Sequence, residues 1–181
     1  MTPKVYPVEI CGIQRDFPLF EVAPGVKIAI FNMLGDAELI RAVGPALADM
    51  LPAGVQVLVT AEVKSIPLAY EMAAYLGVPY VVLRKVLKPY MVDSLGQEVI
   101  SITTGKPQML WLDGKDRVLV KGKKVAIVDD VISTGSTLEG MRKLIDVAGG
   151  EVIAEAAVFT EGDPEKWEGI IALGNLPVFI D

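Results

Sequence analysis

Two adjacent carboxylates, Asp129 and Asp130, stand between a short apolar run and a turn rich in hydroxyl groups. The run, residues 125–128, has the length and composition of a strand that is buried on both faces. The turn, Ser133-Thr134-Gly135-Ser136-Thr137, leads into a segment with helical periodicity, so its backbone N–H groups lie at a helix N-terminus, which favours phosphate. The acids can accept hydrogen bonds from sugar hydroxyls or contact a metal-bound ligand. The stretch therefore predicts a sugar-phosphate site.

A short loop lies between a strand predicted at residues 55–60 and a helix predicted at residues 66–76. Its residues include Glu62, Val63, Lys64 and Ser65. Such a loop can surround an anion with its backbone amides, and Lys64 would add a positive charge. On its own, the pattern fits an ordinary loop with an exposed lysine equally well.

Cations are concentrated at the end of the next predicted strand, residues 80–84. Arg84 and Lys85 stand at the strand end, and Lys88 follows closely. Ligands of open α/β folds bind at the carboxyl edge of the sheet, so these cations predict an anion site there. The alternative is a solvated basic strand end, which is weaker because the chain as a whole is acidic, with a net charge of −6.

The elements that would position these motifs alternate between strands and helices. Helical periodicity begins at Asp36 and is expected to kink or restart at Gly44-Pro45. The remaining predicted elements are strands at 55–60, 80–84, 124–128 and 152–158, and helices at 66–76 and from about residue 137. This order predicts an α/β fold with a doubly wound, mostly parallel sheet and right-handed crossovers.

Two segments depart from this alternation. Residues 1–35 contain short apolar pieces broken by proline and glycine, which predicts a small β-rich arm or hood in front of a core at residues 36–181. Within that core, residues 99–103 and 109–112 predict a β-hairpin insertion, in a flexible loop at about 89–110. Short closing strands are predicted at residues 170–173 and 178–180.

In their order along the chain, the three motifs resemble those of type I phosphoribosyltransferases. They are nearest to those of the adenine phosphoribosyltransferases. Residues 125–137 are similar to the motif that binds 5-phosphoribosyl-1-pyrophosphate (PRPP), and residues 84–88 are similar to the family's basic stretch that faces pyrophosphate. The resemblance covers most of residues 36–160. It implies the type I phosphoribosyltransferase fold, with an N-terminal hood over the active site. The alternative is another doubly wound protein in which Asp129 and Asp130 are solvated caps.

The resemblance also implies a role for each motif residue. Asp129 and Asp130 would be catalytic and would contact ribose hydroxyls and, directly or through water, a Mg²⁺ ion carried in by PRPP. The base would lie beyond Val131 and Ile132. The 5′-phosphate would be bound by Ser133, Thr134, Gly135, Ser136 and Thr137, and the pyrophosphate by Glu62, Val63, Lys64, Ser65, Arg84, Lys85 and Lys88. Candidates to stack on the base are Phe17, Tyr90 and Phe159.

The implied function is purine phosphoribosyl transfer, with adenine as the first choice of base. The loop segment that carries a catalytic glutamate in the adenine enzymes has no clear counterpart here, and neither Asp93 nor Glu98 is assigned that role. A xanthine- or hypoxanthine-type enzyme is therefore an alternative. A second is a PRPP-sensing regulator without turnover, although no winged-helix pattern or basic face precedes residue 36.

Composition narrows the class of protein further. The chain has 181 residues, no histidine and a single cysteine, Cys11. The absence of histidine removes the commonest general base, and the lone cysteine favours a reducing cytoplasm. The acidic net charge argues against nucleic-acid binding, and no apolar run approaches the ~20 residues of a membrane span. The expected partners are PRPP, a purine base and a second copy of the chain in a homodimer.

Overall fold

A computed structural model describes residues 4–100 and 107–180 of the chain. The strands are β1 (Val5–Ile10), β2 (Ile13–Ala23), β3 (Val26–Ala29), β4 (Val57–Ala61), β5 (Tyr80–Leu83), β6 (Leu95–Ile100), β7 (Pro107–Leu112), β8 (Lys124–Ile132), β9 (Glu151–Glu161), β10 (Ile171–Leu176) and β11 (Val178–Ile180). The helices are α1 (Ala37–Asp49), α2 (Ile66–Leu76), α3 (Arg117–Val120) and α4 (Ser136–Val147).

The centre of the fold is a five-stranded parallel sheet in the order β10-β9-β8-β4-β5. Its middle strands are buried on both faces, which is why they are almost continuously apolar. Ala126 and Val128 of β8 pack with α1 and α2, whereas Val125 and Ile127 pack with α4. The predicted doubly wound α/β sheet is confirmed.

Strand β8 is longer than the sequence predicted. The expected strand ended at Val128, but pairing with β9 continues through Val131, opposite Phe159, and Ile132, opposite Thr160. Asp129 and Asp130 consequently lie within the strand and not after it. Pairing with β4 ends at Ile127, so β9 alone supplies the strand partners at this end of β8, and this pairing outweighs the low strand preference of aspartate.

A smaller antiparallel sheet, in the order β1-β2-β3-β11, forms the hood. Its first three strands confirm the β-rich character predicted for residues 1–35. The fourth strand, β11, was expected as a closing strand within residues 36–181, but it pairs with β3, with Val178 opposite Ile28 and Ile180 opposite Val26. The hood sheet is therefore built from both ends of the described chain.

Strands β6 and β7 form the predicted antiparallel hairpin. The first strand begins at Leu95 and not at residue 99, and the connection between the strands lies outside the described residues. The hairpin packs on α4, where Gly140 faces Val99 so closely that a Cβ atom would overlap that side chain. The flexibility expected at about residues 89–110 stays a prediction.

Helix α1 continues through Pro45 as one helix, so the restart expected at Gly44-Pro45 does not occur. Gly44 lies against Glu71 of α2, and packing between the two helices holds this region in place. The carboxylate of Asp36 caps the helix by accepting a hydrogen bond from the Leu39 N–H, at 3.1 Å. Within residues 4–100 and 107–180, no helix combines the length and apolar composition that a membrane span needs.

Candidate active site

Asp129 connects two of the predicted motifs. Its Oδ1 atom accepts a hydrogen bond from the Asp130 N–H at 2.9 Å and lies 3.2 Å from the Ser65 hydroxyl, which can donate to it. Thr60 at the end of β4 donates in turn to the Ser65 hydroxyl, at 2.8 Å. Thr60 and Ser65 are buried, so this chain of contacts fixes the loop after β4 against β8.

The environment of Asp129 favours its neutral form. Removal from water and the neighbouring Asp130 carboxylate raise the pKa of Asp129 to about 7, from an ordinary value of 3.8. The hydrogen bonds from the Asp130 N–H and from Ser65 act in the opposite direction but do not compensate. Asp129 can therefore hold or release a proton near neutral pH.

Asp130 also contacts the loop after β4. Its Oδ2 atom lies 3.6 Å from the Nζ atom of Lys64, whose side chain is half exposed. The same oxygen is buried and has no hydrogen-bond partner in the described part of the chain. A carboxylate oxygen that lacks a hydrogen bond can accept one from a ligand or can contact a metal cation.

The hydroxyl-rich turn leads from β8 into α4. Gly135 precedes the helix with a positive φ of 77°, and its carbonyl accepts the first helical hydrogen bond, from Glu139 N–H at 2.9 Å. The hydroxyls of Thr134 and Ser136 lie 3.1 Å apart. A cavity of about 40 Å³ is lined by Asp129, Val131, Ile132, Ser133, Thr134, Gly135, Thr137 and Leu138. The predicted phosphate loop and the Asp129 carboxylate thus border one space.

Glu62 contacts two other residues of the predicted pyrophosphate site. It was grouped with the pyrophosphate-binding residues, yet its Oε1 atom lies 2.7 Å from the Arg84 Nε atom and its Oε2 atom accepts from the Lys85 N–H at 2.6 Å. Because a carboxylate repels anions, Glu62 acts here as a clamp between the two basic segments. Its contacts also offset part of the Arg84 charge.

Arg84, Lys85 and Lys88 form no ion pair with Asp129 or Asp130 among the described residues. Arg84 pairs through its backbone with Trp111 of β7, in two hydrogen bonds of 2.8 and 2.7 Å. Lys85 is exposed, and the Lys88 N–H faces the Met91 sulfur at 3.4 Å. In the parts of the chain that the structure describes, only Lys64 forms an ion pair with the Asp129–Asp130 pair.

A larger cavity, of about 340 Å³, lies between the hood and the carboxyl edge of the main sheet. Its lining residues are Val22, Ile28, Ala29, Ile30 and Phe31 from the hood side, and Lys64, Asp130, Val131, Ser133, Thr134 and Glu161 from the main sheet. Val131 lines this cavity, and its contact with a base stays a prediction. Ile132 packs in the core next to α4 and lines only the smaller cavity.

The aromatic residues proposed to stack on a base lie elsewhere. Phe17 and Phe159 are buried in a cluster with Phe31, with ring centroids 5.0 to 5.8 Å apart, and Tyr90 is exposed. Phe31 is the member of this cluster that lines the larger cavity, together with Glu161, and sequence reasoning singled out neither. The available signal was position: Phe31 ends the apolar run that starts at Val26, and Glu161 lies two residues after Phe159 at the end of the same strand.

The sequence matches a family model described as phosphoribosyl transferase domain over residues 38–171. The chain belongs to the phosphoribosyltransferase family. The match contains both carboxylates, the hydroxyl-rich turn and the two basic segments, so the motifs that suggested the family lie within the matched region. The recognition made from the sequence is confirmed.

Curated relatives of this phosphoribosyltransferase chain include enzymes and a regulator. The hypoxanthine/guanine phosphoribosyltransferase of Methanococcus voltae is 34% identical over 128 residues, 70% of this chain and 64% of that protein. That of Methanococcus vannielii is 32% identical over 86% of this chain and 79% of that protein. The purine biosynthesis repressor PurR of Bacillus subtilis is 29% identical over 86% of this chain. The chain spans 56% of the length of PurR and 64% of that of the M. voltae enzyme, which is less than two thirds in both cases.

Solved structures with the same fold include adenine phosphoribosyltransferases. The enzyme from Thermoanaerobacter pseudethanolicus superposes with a TM-score of 0.65 at 22% identity, covering 95% of both chains. That from Giardia lamblia, complexed with 9-deazaadenine, also has a TM-score of 0.65, at 18% identity, covering 94% of this chain and 93% of that one. These likenesses confirm the type I phosphoribosyltransferase fold.

Proposed function

We propose that this protein is a purine phosphoribosyltransferase, which converts PRPP and a purine base to a nucleoside monophosphate and pyrophosphate. The observation that carries the proposal is the continuity of three features at one sheet edge. The Asp129–Asp130 pair, the turn at residues 133–137 and the cavity beneath the hood adjoin one another. A nucleotide needs this arrangement, because its ribose links the 5′-phosphate on one side to the base on the other.

PRPP would be held at both of its charged ends. The backbone N–H groups and hydroxyls of residues 133–137 surround the 5′-phosphate at the start of α4. The loop at residues 62–65 offers backbone N–H groups and the Lys64 ammonium to the pyrophosphate. Contacts with Glu62 hold Arg84 and Lys85 beside this loop, and Lys88 follows them in the chain. Lys64 would then exchange its contact with Asp130 for one with the ligand.

A Mg²⁺ ion carried by PRPP fits the carboxylate pair. The Oδ2 atom of Asp130 is buried and accepts no hydrogen bond from the described residues, so it can serve as an oxygen ligand, directly or through water. No group of three or more metal-binding side chains occurs among the described residues, so the phosphate oxygens of PRPP would complete the coordination. When bound, the ion would neutralise charge on the leaving pyrophosphate.

The carboxylates also offer a route for a proton at the purine ring. Asp130 lines the cavity beneath the hood, so it is the acid that can reach an imidazole nitrogen of the base. Asp129, the preceding residue of β8, would contact the ribose. Because its pKa is raised, it would also limit the negative charge of the carboxylate pair.

The base was expected to be adenine, and a 6-oxopurine is the alternative. Relatives named hypoxanthine/guanine phosphoribosyltransferases reach 37% identity, in Methanocaldococcus vulcanius, whereas the adenine enzymes share the fold at 22% identity or less in the two superpositions above. This sequence similarity favours a 6-oxopurine such as guanine. Adenine remains in the proposal as the second candidate.

Pyrophosphate release tests the proposal directly. We expect steady turnover when PRPP and Mg²⁺ are supplied with one of adenine, guanine, hypoxanthine or xanthine. The variants Asp129→Asn and Asp130→Asn should lose both turnover and calorimetric PRPP binding, because each removes charge at the ribose and metal positions. Asp146→Asn, on the exposed end of α4, is the matched control and should keep both.

Two results would contradict this assignment. Unchanged PRPP affinity in Asp129→Asn and Asp130→Asn would show that the donor binds elsewhere. PRPP binding without pyrophosphate release for any base would favour a PRPP-sensing regulator, a function suggested by the similarity to PurR. We further propose a cytoplasmic homodimer that contacts neither nucleic acid nor membranes, and sedimentation analysis tests the oligomeric state.

A further inference from the structure

Glu161, the last residue of β9, lines the cavity beneath the hood. Alternate residues of a strand share one face of the sheet, so Glu161 lies on the same face as Phe159, whose ring packs against the hood residues Phe17 and Phe31. Its backbone is held on two sides. The carbonyl accepts a hydrogen bond from the Trp167 indole N–H at 2.8 Å, and the strand pairs with β10 at Leu176. The side chain therefore starts from a rigid position.

The Glu161 carboxylate lacks a partner in the described part of the chain. No hydrogen bond or ion pair to its oxygens is found among those residues, although the residue is partly buried. Removal from water raises the pKa of the carboxyl group. A carboxylate that loses part of its hydration without gaining a hydrogen bond is unfavourable, and a bound ligand with N–H donors would relieve this cost.

The neighbours of Glu161 in the cavity divide into two kinds. Lys64, Asp130, Ser133 and Thr134 belong to the ribose and phosphate motifs described above. The hood side of the cavity is apolar, from Val22 to Phe31. Apolar walls can enclose the faces of a flat purine but cannot distinguish its edge substituents, so Glu161 is the charged side chain available for that purpose.

We propose that Glu161 recognises an exocyclic amino group of the base, so that the acceptor is an aminopurine. This inference rests on the proposed function, since it requires a purine in the cavity beneath the hood. An ionised carboxylate only accepts hydrogen bonds, whereas an amino group only donates them in this setting. Adenine and guanine carry such a group, and hypoxanthine and xanthine do not. A carbonyl oxygen placed opposite the carboxylate would be repelled.

Nucleoside monophosphates test this without requiring turnover. AMP and IMP differ at purine position 6, and GMP and IMP differ by the 2-amino group, so each pair isolates one amino group. We expect the protein to bind AMP or GMP about tenfold more tightly than IMP, as measured by calorimetry, because a charged hydrogen bond is gained. In Glu161→Gln and Glu161→Ala this preference should fall to within about twofold.

Two controls separate base recognition from other roles. Ribose 5-phosphate, which has no base, should bind the wild type and both variants equally. Glu165→Gln, an exposed residue of the same connection, makes the same change in charge and should keep the wild-type preference. Lack of a preference for AMP or GMP in the wild type, or retention of that preference in both Glu161 variants, would overturn the inference. The inference would also be overturned if the Glu161 variants lost affinity for ribose 5-phosphate as strongly as for AMP or GMP.

The outcome is distinguishable from failure of the proposed function. If no base supports pyrophosphate release but the Glu161-dependent preference is found, the enzyme assignment fails and base recognition stands. If a base supports turnover but the preference does not depend on Glu161, the enzyme assignment stands and the role of Glu161 is refuted.

Discussion

At the scale of single residues, the Asp129–Asp130 pair sets the pH response of the molecule. The pKa of Asp129 is about 7 in the folded chain and near 3.8 when unfolded, so the native state binds the extra proton between these values. Where the native state binds more protons, the free energy of unfolding falls as pH rises. The protein should therefore lose stability as pH passes through 7.

Asp129→Asn should remove this dependence. Both contacts to Asp129 are made at its Oδ1 atom, and an asparagine amide oxygen can accept the same two hydrogen bonds. Between pH 6 and pH 8 the wild type should lose about 1.4 kcal/mol in free energy of unfolding relative to the variant, since the loss amounts to about this much per pH unit between the unfolded and folded pKa values and levels off above the folded pKa of about 7. Urea denaturation at both pH values measures it, with Asp146→Asn as the control. Parallel curves for wild type and Asp129→Asn would refute the raised pKa.

The types of the site residues could be predicted from sequence, but their contacts could not. Asp129, Asp130 and the hydroxyl turn are adjacent in the chain, so their spacing was sufficient to identify them. The contact between Asp129 and Ser65 depends on the pairing of β8 with β4 across distant parts of the chain. The Glu62 clamp and the position of Glu161 likewise depend on tertiary packing, and no local pattern marked either residue.

At the scale of elements, the turn between β8 and α4 is the most constrained part of the site. Gly135 has a positive φ of 77°, and a Cβ atom there would lie 3.4 Å from the Trp167 ring. The same Trp167 donates to the backbone of Glu161. One indole therefore contacts both the turn proposed for the 5′-phosphate and the strand end proposed for the base.

Gly135→Ala should weaken both stability and PRPP binding. The left-handed backbone costs about 1 kcal/mol for a residue with a Cβ atom, and the turn can relieve this strain only by shifting. Gly12→Ala is a matched control, because Gly12 has a φ of 76° but no atom within 4 Å of the added Cβ. Denaturation should show a similar loss in both variants, whereas calorimetry should show weaker PRPP binding in Gly135→Ala alone. Equal PRPP affinities would exclude this turn from the phosphate site.

Element order was largely predictable, and element ends were not. The alternation of apolar strands and amphipathic helices identified β4, α2, β5, β8, α4 and β9. The end of β8 was missed because two aspartates interrupt the apolar pattern, although the neighbouring strand β9 continues to pair with it. Pairing between strands is a property of the sheet and leaves little trace in the sequence of one strand.

At the scale of the whole molecule, β11 joins a late part of the chain to the hood. It pairs with β3, whose Ile28 lines the cavity beneath the hood. Sequence reasoning treated residues 178–180 as part of the core, because three residues contain no information about which sheet edge they will meet. The hood therefore depends on residues far from it in sequence.

Removing residues 178–181 should loosen the hood more than the main sheet. The amide groups of β3 that pair with β11 would lose their partners, so their hydrogen exchange should become faster, while β4 and β8 remain protected. Ile180→Ser is the control, because this side chain is 81% exposed and the backbone pairing is kept. Exchange measured by mass spectrometry at residues 26–29 gives the answer. Unchanged exchange in the shortened chain would show that β11 does not support the hood.

The same pairing has a consequence for how the protein is made on the ribosome. The first three hood strands leave the exit tunnel early, and they must wait with an open edge until residues 178–180 have been synthesised. Exposed strand edges are sites of aggregation in nascent chains. Strands β4, β5, β8 and β9, which border the site proposed for PRPP, can pair as soon as β9 has emerged. Because β11 follows later, a nascent chain reaches the proposed donor site before the hood beside the proposed base cavity has all of its strands.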